Sequence, residues 1–451
     1  MPITWNAENA AHLLRRTGFA VTPKQLAKAL KQGQDKTLAG LLKFEKKPAK
    51  WPKKGTDGTE RLGAWWVRRM LKTKRPLIEK LTLFWHNHFA TAMHKVDDSE
   101  AMFNHVATLR VNALGTFRDM LLDVARDPAM LDWLDNRINY ADSINENFAR
   151  ELMELFTTGV LDKDGQPNYT ETDVIEVARS FTGWSVKHDA FLFKANKHDE
   201  GEKTVKGVTG NLGGEDVVDI LINDPATQRR IPQKLWSFLA YPIELTDPLC
   251  DELEAVYISS GGDLRVIVEA ILRHDQFYAP EAKKALVKGP AEWFVGALRQ
   301  TGAKLKKGNS WEVGSRLAEL GQPLFDPPSV FGWDEGLAWV EASGMLARAS
   351  TGEWIADTRK NKWHALTLKT KKWLGPKKGW SDLDAAGVVA LVLEHLDLAD
   401  ASPNTVAALT TYAEADMFGL PQEVEVTPDF IDLKVRGLFA IALASPEYQV
   451  A

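Results

Sequence analysis

Apolar residues recur at spacings of three and four along nearly the whole chain of 451 residues. This is the period of helices that bury one face, so the chain is predicted to be all-α, a predominantly helical, multi-helix globular array. The helical spacing of apolar residues is interrupted between residues 184 and 214, where the short β-prone runs 191–193 and 203–205 lie among several glycines. Such runs predict a short β-hairpin or an irregular insertion near 184–214.

The same pattern divides the chain into five parts. A helical region, 1–183, carries the polar motifs, and the insertion 184–214 separates it from a second helical region, 215–357. Residues 358–380 are a basic, Trp-containing insertion with little periodicity, and residues 381–451 are an acidic helical region. Basic residues beside Trp can bind phosphates or stacked bases, but a solvated insertion has the same composition, so both interpretations of 358–380 stay open.

The most informative stretch is 145–159, Asn-Glu-Asn-Phe-Ala-Arg-Glu-Leu-Met-Glu-Leu-Phe-Thr-Thr-Gly. Asn145 can cap the first amides of a helix, and Gly159 can end it in a left-handed conformation. At about 100° per residue, Asn147, Glu151 and Glu154 fall on one stripe beside the apolar face. An amide and two carboxylates on one stripe are typical of a metal or proton-transfer site, and equally of a solvated helix face.

The two carboxylates differ in their distance from the apolar face. Glu151 lies nearer to it, where partial burial would raise its pKa and suit it to acid or base chemistry. Arg150 can pair with Glu154 or Glu146 at four-residue spacing, which would make the same charges structural. Thr157 follows Glu154 by three residues, so the Glu-x-x-His signature of di-iron helix bundles is absent.

Two histidines, His86 and His88, lie in the run Leu-Phe-Trp-His-Asn-His-Phe of residues 83–89. A His-x-His pair suggests metal ligation, because neutral imidazoles bind first-row ions well. If 76–89 is one helix, however, side chains two residues apart point roughly 200° apart and cannot share an ion. His88 is then the inward residue, either in a site or as a core histidine, and His86 points elsewhere unless the helix ends or kinks before it.

Composition narrows the class of protein. Hydrophobic residues make up 44% and charged residues 26%, as in a soluble globular protein. No apolar run of about eighteen residues is present, so no transmembrane segment is predicted. Cys250 is the single cysteine, which excludes an internal disulfide and a thiolate metal cluster. The first residues lack the basic and apolar regions of a signal peptide, so a cytoplasmic location is predicted.

Charge is unevenly distributed along the chain. Residues 1–80 contain 19 Lys and Arg against 6 Asp and Glu, whereas residues 381–451 contain 2 against 12. We expect the two ends to pair within the fold, with an anionic partner for the basic end as the alternative. Nucleic acid is not expected as a partner, because no recognition motif accompanies the charge and the isoelectric point is near 6.1.

Short motifs spread over nearly the whole chain resemble those of a known family. They lie at 12–19, 83–90, 127–131, 134–136, 145–159, 169–171, 181–184, 198–199, 234–236, 321–328, 332–333 and 445–448. The chain resembles the uncharacterised bacterial family called domain of unknown function 1800. The resemblance implies a largely helical fold, and it carries no assigned activity.

The polar motif positions of that family map onto seven residues of this chain, namely His86, Asn87, His88, Asn147, Arg150, Glu151 and Glu154. Many relatives have His where this chain has Phe156, which removes one candidate ligand and weakens a metal site. Relatives often occur beside genes for exported proteins similar to alkaline phosphatases and sulfatases. The resemblance thus implies a partner of that kind and an association with the cell envelope.

Two functions follow as hypotheses. In the first, the chain is an enzyme, a hydrolase or an oxidoreductase, with a site between the helices at 76–89 and 145–158. Its catalytic residues would be His88, Asn147, Arg150, Glu151 and Glu154, and a divalent transition metal would be held by His86, His88 and Glu151. In the second, the chain is a non-catalytic helical partner or maturation factor for an alkaline-phosphatase-like or sulfatase-like protein.

Overall fold

The computed structural model describes residues 3–44, 57–306, 311–357, 365–370, 383–416, 418–422 and 424–451. Over these residues the chain is predominantly helical, which confirms the prediction from the apolar spacing. The helices of the N-terminal part are α1 (Ala7–Arg16), α2 (Pro23–Gln32), α3 (Gln34–Leu41), α4 (Thr59–Lys72), α5 (Pro76–His88), α6 (Met93–Val96), α7 (Ser99–Asn112), α8 (Phe117–Ala125), α9 (Pro128–Trp133), α10 (Asn147–Glu151) and α11 (Glu171–Ser180).

The C-terminal part continues the helical pattern. Its helices are α12 (Gly214–Ile222), α13 (Pro225–Leu239), α14 (Leu249–Ser260), α15 (Leu264–Arg273), α16 (Pro290–Thr301), α17 (Trp311–Glu319), α18 (Ala342–Ala356), α19 (Ala385–His395), α20 (Pro403–Glu414) and α21 (Pro428–Ala444). A π-helical turn at Leu152–Phe156, the π segment, directly follows α10. In the described part of the chain, none of the helices has the length and apolar content needed to cross a bilayer.

Capping signals in the sequence set two of the helix starts. Thr22 caps α2, where its hydroxyl accepts from the Gln25 amide and the Gln25 side chain accepts from the Thr22 amide. Thr170 and Asp173 form the same reciprocal arrangement at the start of α11. Each box satisfies amides that a helix N-terminus leaves without partners.

The region 184–214 contains two antiparallel hairpins. Strand β1 (Trp184–Lys187) pairs with β2 (Ala190–Phe193), and β3 (Lys203–Val205) pairs with β4 (Val208–Gly210). The predicted hairpin or irregular insertion is therefore confirmed.

A third small sheet was not predicted. Strand β5 (Lys304–Leu305) pairs antiparallel with β6 (Leu366–Thr367). Strand β6 belongs to the predicted basic insertion, of which only residues 365–370 are described; residues 358–364 and 371–380 lie outside the described residues. The pairing joins residues some sixty positions apart, which local sequence patterns do not reveal.

Two hydrophobic cores meet at helix α5. Leu81 and Trp85 of this helix belong to a core built mainly from the segments between α8 and α15. Leu83 belongs to a second core, which α4, α7 and the helices from α16 onward complete. Because α5 is buried on both sides, the two side chains at 86 and 88 both enter apolar surroundings, although they point in different directions.

Candidate functional site

His88 closes the end of α5 and is buried. Its Nε2 donates to the carbonyl oxygen of Phe156 at 3.1 Å, and its ring packs edge-to-face on Phe89. Burial lowers the pKa of His88 well below its usual range, and the charges of Lys234 and Arg230 lower it further. The imidazole is therefore neutral near pH 7, and it anchors the end of the π segment.

His86 lies on the other side of α5, in the second core. Its ring centroid is 5.1 Å from that of Trp333 and 5.8 Å from that of His105. Within the described residues, neither ring nitrogen of His86 has a hydrogen-bond partner. Burial lowers the pKa of His86 well below its usual range, and His105 adds to this. The two histidines of the His-x-His pair thus face different surroundings, as helix geometry requires.

The motif helix does not continue as a regular α-helix over 145–158, so that prediction is wrong for its second half. The α-helix stops at Glu151, and the π segment follows. The hydroxyls of Thr157 and Thr158 donate to the carbonyl oxygens five residues earlier, at 2.6 and 3.0 Å. They satisfy carbonyls of the wider turn, and Gly159 ends it at φ 77°, the predicted left-handed conformation.

Arg230 of α13 binds the carbonyl end of the π segment. Its Nη1 donates to the carbonyl oxygens of Leu155 at 2.7 Å and Thr157 at 3.3 Å. Burial lowers the pKa of Arg230 to about 10, and the nearby charge of Glu154 opposes this shift. A cation at C-terminal carbonyls stabilises a helix end. Arg230 therefore fixes the segment that carries Glu154.

The two carboxylates of the motif lie in a partly buried strip. Burial raises the pKa of Glu151, the charge of Glu154 raises it further, and Arg150 opposes both. Glu154 accepts a hydrogen bond from the Tyr169 hydroxyl at 3.3 Å. Burial and the Glu154 charge raise the pKa of Tyr169 to about 12. A raised carboxyl pKa is the direction that acid–base chemistry near neutral pH requires.

Arg150 and Asn147 have local structural partners. The two Nη atoms of Arg150 donate to both carboxylate oxygens of Glu171 at 3.0 and 2.9 Å, and Nη2 also reaches Glu146 at 3.2 Å. Hydrogen bonding to Glu171 raises the pKa of Arg150. The backbone amide of Asn147 donates to the side chain of Asn145 at 3.0 Å, but the N-cap of α10 is Glu146 and not the predicted Asn145.

Lys234 lies one turn beyond Arg230 on α13, and sequence reasoning did not select it as a site residue. Burial lowers the pKa of Lys234 to about 8; Arg230 lowers it further, and Glu335 opposes this. In the part of the chain that the structure describes, its ammonium group forms no ion pair. One signal in the sequence could have indicated Lys234, namely its position four residues after Arg230. Like charges at this spacing destabilise an isolated helix, so such a pair calls for another explanation.

Asn87, between the two histidines, ties α5 to the segment after 331. Its side-chain oxygen accepts from the Trp333 amide at 2.6 Å, and its side-chain nitrogen donates to Glu335 at 2.6 Å. Gly332 has φ 87°, and a Cβ built there would lie 2.2 Å from the Asn87 side-chain oxygen. The close approach requires glycine at this position, and it brings Glu335 into the surroundings of Lys234.

We expect Gly332→Ala to lower the free energy of unfolding by about 2–5 kcal/mol, because it combines left-handed strain with a clash. Gly336→Ala is the matched control, since Gly336 also has positive φ but has open space where a Cβ would lie. The control is expected to lose only about 1–2 kcal/mol of backbone strain. Urea unfolding of both variants measures the difference, and equal losses would contradict the clash at Asn87.

Four charges follow one another across this surface. Glu151 interacts with Glu154, Glu154 with Arg230, and Arg230 with Lys234. We call these four residues the charge series. Several motifs that carried the family resemblance meet here, namely 83–90, 145–159, 169–171, 234–236 and 332–333.

The structure does not bring the three predicted metal ligands together. The described residues contain no group of three or more His, Cys, Asp or Glu side chains that could hold a metal ion. His86 contacts His105 and His88 contacts the π segment, while Glu151 lies beside Glu154. A divalent transition metal at His86, His88 and Glu151 stays a prediction from the sequence.

Comparison with known proteins identifies the family. The family model described as "Protein of unknown function (DUF1800)" matches residues 12–450, nearly the whole chain. The chain belongs to the DUF1800 family. No curated protein and no solved structure matches it. For this DUF1800 protein, function therefore has to be argued from the charges and contacts of its own residues.

Proposed function

We propose that this DUF1800 protein is an enzyme that binds an anionic substrate at the charge series and hydrolyses it by proton transfer. The observation that carries the proposal is Lys234, a partly buried ammonium with a pKa lowered to about 8 and no ion-pair partner among the described residues. Strongly shifted pKa values in a cluster of charges are typical of functional sites. A π-helical turn beside them is a second feature of such sites.

The shifts assign different roles to the two ends of the series. A fraction of Lys234 is unprotonated near pH 7, so its amine can accept a proton from a water molecule whose oxygen bonds to the ester centre of the substrate as the bond to the leaving group breaks. Glu151, whose pKa is raised, can hold a proton and donate it to the leaving group. Lys234 then releases its proton to solvent, and Glu151 takes up a proton from solvent. Both groups are thereby returned to their starting states.

The remaining residues position these groups. Arg230 and His88 hold the carbonyl end of the π segment. The negative charge of Glu154 disfavours ionisation of Glu151 and so keeps the pKa of Glu151 raised. Arg150 and Asn147 stabilise α10 at the rim. An anionic substrate would gain from the positive charge of Arg230, whose pKa of about 10 keeps it protonated near pH 7 while Lys234 acts as the base.

The test is a hydrolysis assay with p-nitrophenyl phosphate, p-nitrophenyl sulfate and mono-p-nitrophenyl succinate. We expect turnover of one of these anionic esters, and a loss of about 100-fold or more in kcat/KM for Lys234→Met and for Glu151→Gln. The matched controls are Lys163→Met and Glu100→Gln, which change exposed charges outside the series. The melting temperature of each variant shows whether it folds.

Two results would contradict the proposal. One is turnover that survives both Lys234→Met and Glu151→Gln. The other is the absence of turnover of all three esters, which would favour the alternative of a non-catalytic partner for an alkaline-phosphatase-like protein. That alternative then predicts a stable, salt-sensitive complex with the partner.

A further inference from the structure

A basic groove lies on a different part of the molecule, along the C-terminal half of α4 and the end of α16. Two adjoining cavities of about 490 and 670 Å³ share Arg68 and Lys72. No Asp or Glu of the described residues lines either cavity. Arg69 also lines the smaller cavity, but it pairs with Glu79. We define the basic groove by the other six Lys and Arg that line the two cavities, namely Arg68, Lys72, Lys74, Arg75, Arg299 and Lys304.

The acidic C-terminal region does not neutralise this charge. Among ion pairs of the described residues, Arg15–Asp397, at 2.5 Å, is the one that joins residues 3–80 to residues 383–451. The expected charge pairing of the two ends is thus limited to one ion pair in the described chain. Among the described residues, none of the six Lys and Arg of the basic groove forms an ion pair, so an anionic partner would find their charge available.

Two guanidinium groups in the groove each have a nitrogen without a hydrogen-bond partner among the described residues. Nη1 of Arg299 and Nε of Arg68 are buried and have no hydrogen-bond partner in the described structure. Burial lowers the pKa of Arg299, and no carboxylate of the described residues opposes this shift. Nη2 of Arg68 donates to the Lys306 carbonyl oxygen at 3.2 Å, which holds its guanidinium in place. A buried guanidinium N–H without a hydrogen-bond partner costs stability, and a bound anion would supply the missing acceptor.

The larger cavity also has an apolar part, formed by Leu71, Leu298 and Leu305. A ligand that fills it therefore needs an anionic head for the arginines and an apolar body for the leucines. Arginine forks match the oxygens of a phosphate group, and the volume is within the range of small-molecule sites.

A single-stranded nucleic acid fits less well. Binding of successive bases requires a row of aromatic side chains. Trp65 is the one aromatic residue that lines the two cavities in the described chain, and its ring already packs edge-to-face on Phe103 at 4.9 Å.

We propose that the basic groove binds an organic phosphate, with the phosphate at Arg68 and Arg299 and the apolar body against the three leucines. Lys72 and Lys304, on the exposed rim, attract the dianion. The site is separate from the charge series, so its occupancy does not depend on the proposed hydrolysis.

The test is calorimetric titration of the full chain with hexyl phosphate at low salt. We expect binding about tenfold tighter than that of inorganic phosphate, because the apolar body adds buried surface. Arg299→Gln should weaken it by about tenfold or more. Lys304→Gln changes an exposed residue and cannot disturb the core, and it should weaken binding by about threefold. Lys31→Gln, an exposed lysine outside the groove, is the control and should leave binding unchanged.

Three results would overturn the proposal. The first is no binding of hexyl phosphate up to about 10 mM, which is too weak for a specific site. The second is equal binding by the wild type, Arg299→Gln and Lys304→Gln. The third is tighter binding of a short oligothymidylate that displaces hexyl phosphate, because the groove would then be a nucleic-acid site.

Discussion

Replacing Glu79 by Gln is expected to lower the free energy of unfolding by about 3–5 kcal/mol, the largest effect of any single change considered for this chain. Glu79 lies on α5 and is fully buried. Its carboxylate accepts from Trp66 Nε1 at 2.9 Å, from Arg69 Nε at 2.5 Å and from Arg110 Nε at 3.2 Å. It is the anion around which two helices besides its own, α4 and α7, are arranged.

The size of this loss of stability follows from the effect of Glu79→Gln on the buried guanidinium of Arg110. Arg110 is itself buried, so an amide at position 79 would remove the negative charge of Glu79 from beside its guanidinium in a medium of low polarity. Glu100→Gln is the control, because Glu100 is an exposed residue in the first turn of α7, and its loss should stay within about 0.5 kcal/mol. Urea unfolding measures both, and a loss at Glu79 no larger than the control would contradict the buried ion cluster.

The second large effect is a rise of stability between pH 7 and pH 8 that depends on Lys288. Its ammonium donates to the Tyr448 carbonyl oxygen at 2.8 Å and lies 3.9 Å from the centre of the Tyr448 ring. Burial lowers the pKa of Lys288 to about 7; Glu292 and Asp397 oppose this, and Arg15 and Arg348 add to it.

The sign follows from proton binding. In the unfolded chain Lys288 keeps its ordinary pKa, so above pH 7 the unfolded state binds more protons than the folded state. Stability therefore increases with pH, by up to about 1.4 kcal/mol per pH unit for one group. The pKa of Lys80 and that of Lys234 are also lowered, to about 8, so these residues contribute mainly above pH 8. Between pH 7 and pH 8, Lys288 therefore contributes the largest part of the rise, and Lys80 and Lys234 each add a smaller part.

Denaturant unfolding at pH 7 and pH 8 measures this rise. Lys288→Met should reduce it, because the substitution removes the group that contributes most in this interval. Lys163→Met, at an exposed position, should retain the full rise. The assignment would be wrong if Lys288→Met kept the slope of the wild type.

The sequence predicted the helical class because apolar spacing is a local property. It also located Gly159 as the left-handed end of the motif helix, which depends on neighbouring residues alone. Burial of α5 on both sides was beyond this reasoning, because the second core is supplied by helices from distant parts of the chain. His86 could therefore be placed opposite His88 but not assigned to a core.

The charged residues of the site also divide into those that local sequence predicts and those that depend on distant parts of the chain. The stripe of Glu151 and Glu154 follows from helix geometry within fifteen residues. The π segment depends on Arg230, some seventy residues away, and its occurrence could not be inferred from local spacing. Lys234 acquires its low pKa from burial and from Arg230, so its importance appears only once the chain is folded.

The most direct test of the central claim is the pH dependence of Lys234 reactivity. Competitive acetylation of the intact protein, with the labelled peptide quantified by mass spectrometry, gives the midpoint at which the amine becomes nucleophilic. The proposed site predicts a midpoint at about 8 for Lys234, while the exposed Lys163 serves as an internal reference. A midpoint for Lys234 at its ordinary value near 10.5 would contradict the account, because Lys234 would then be an ordinary surface cation.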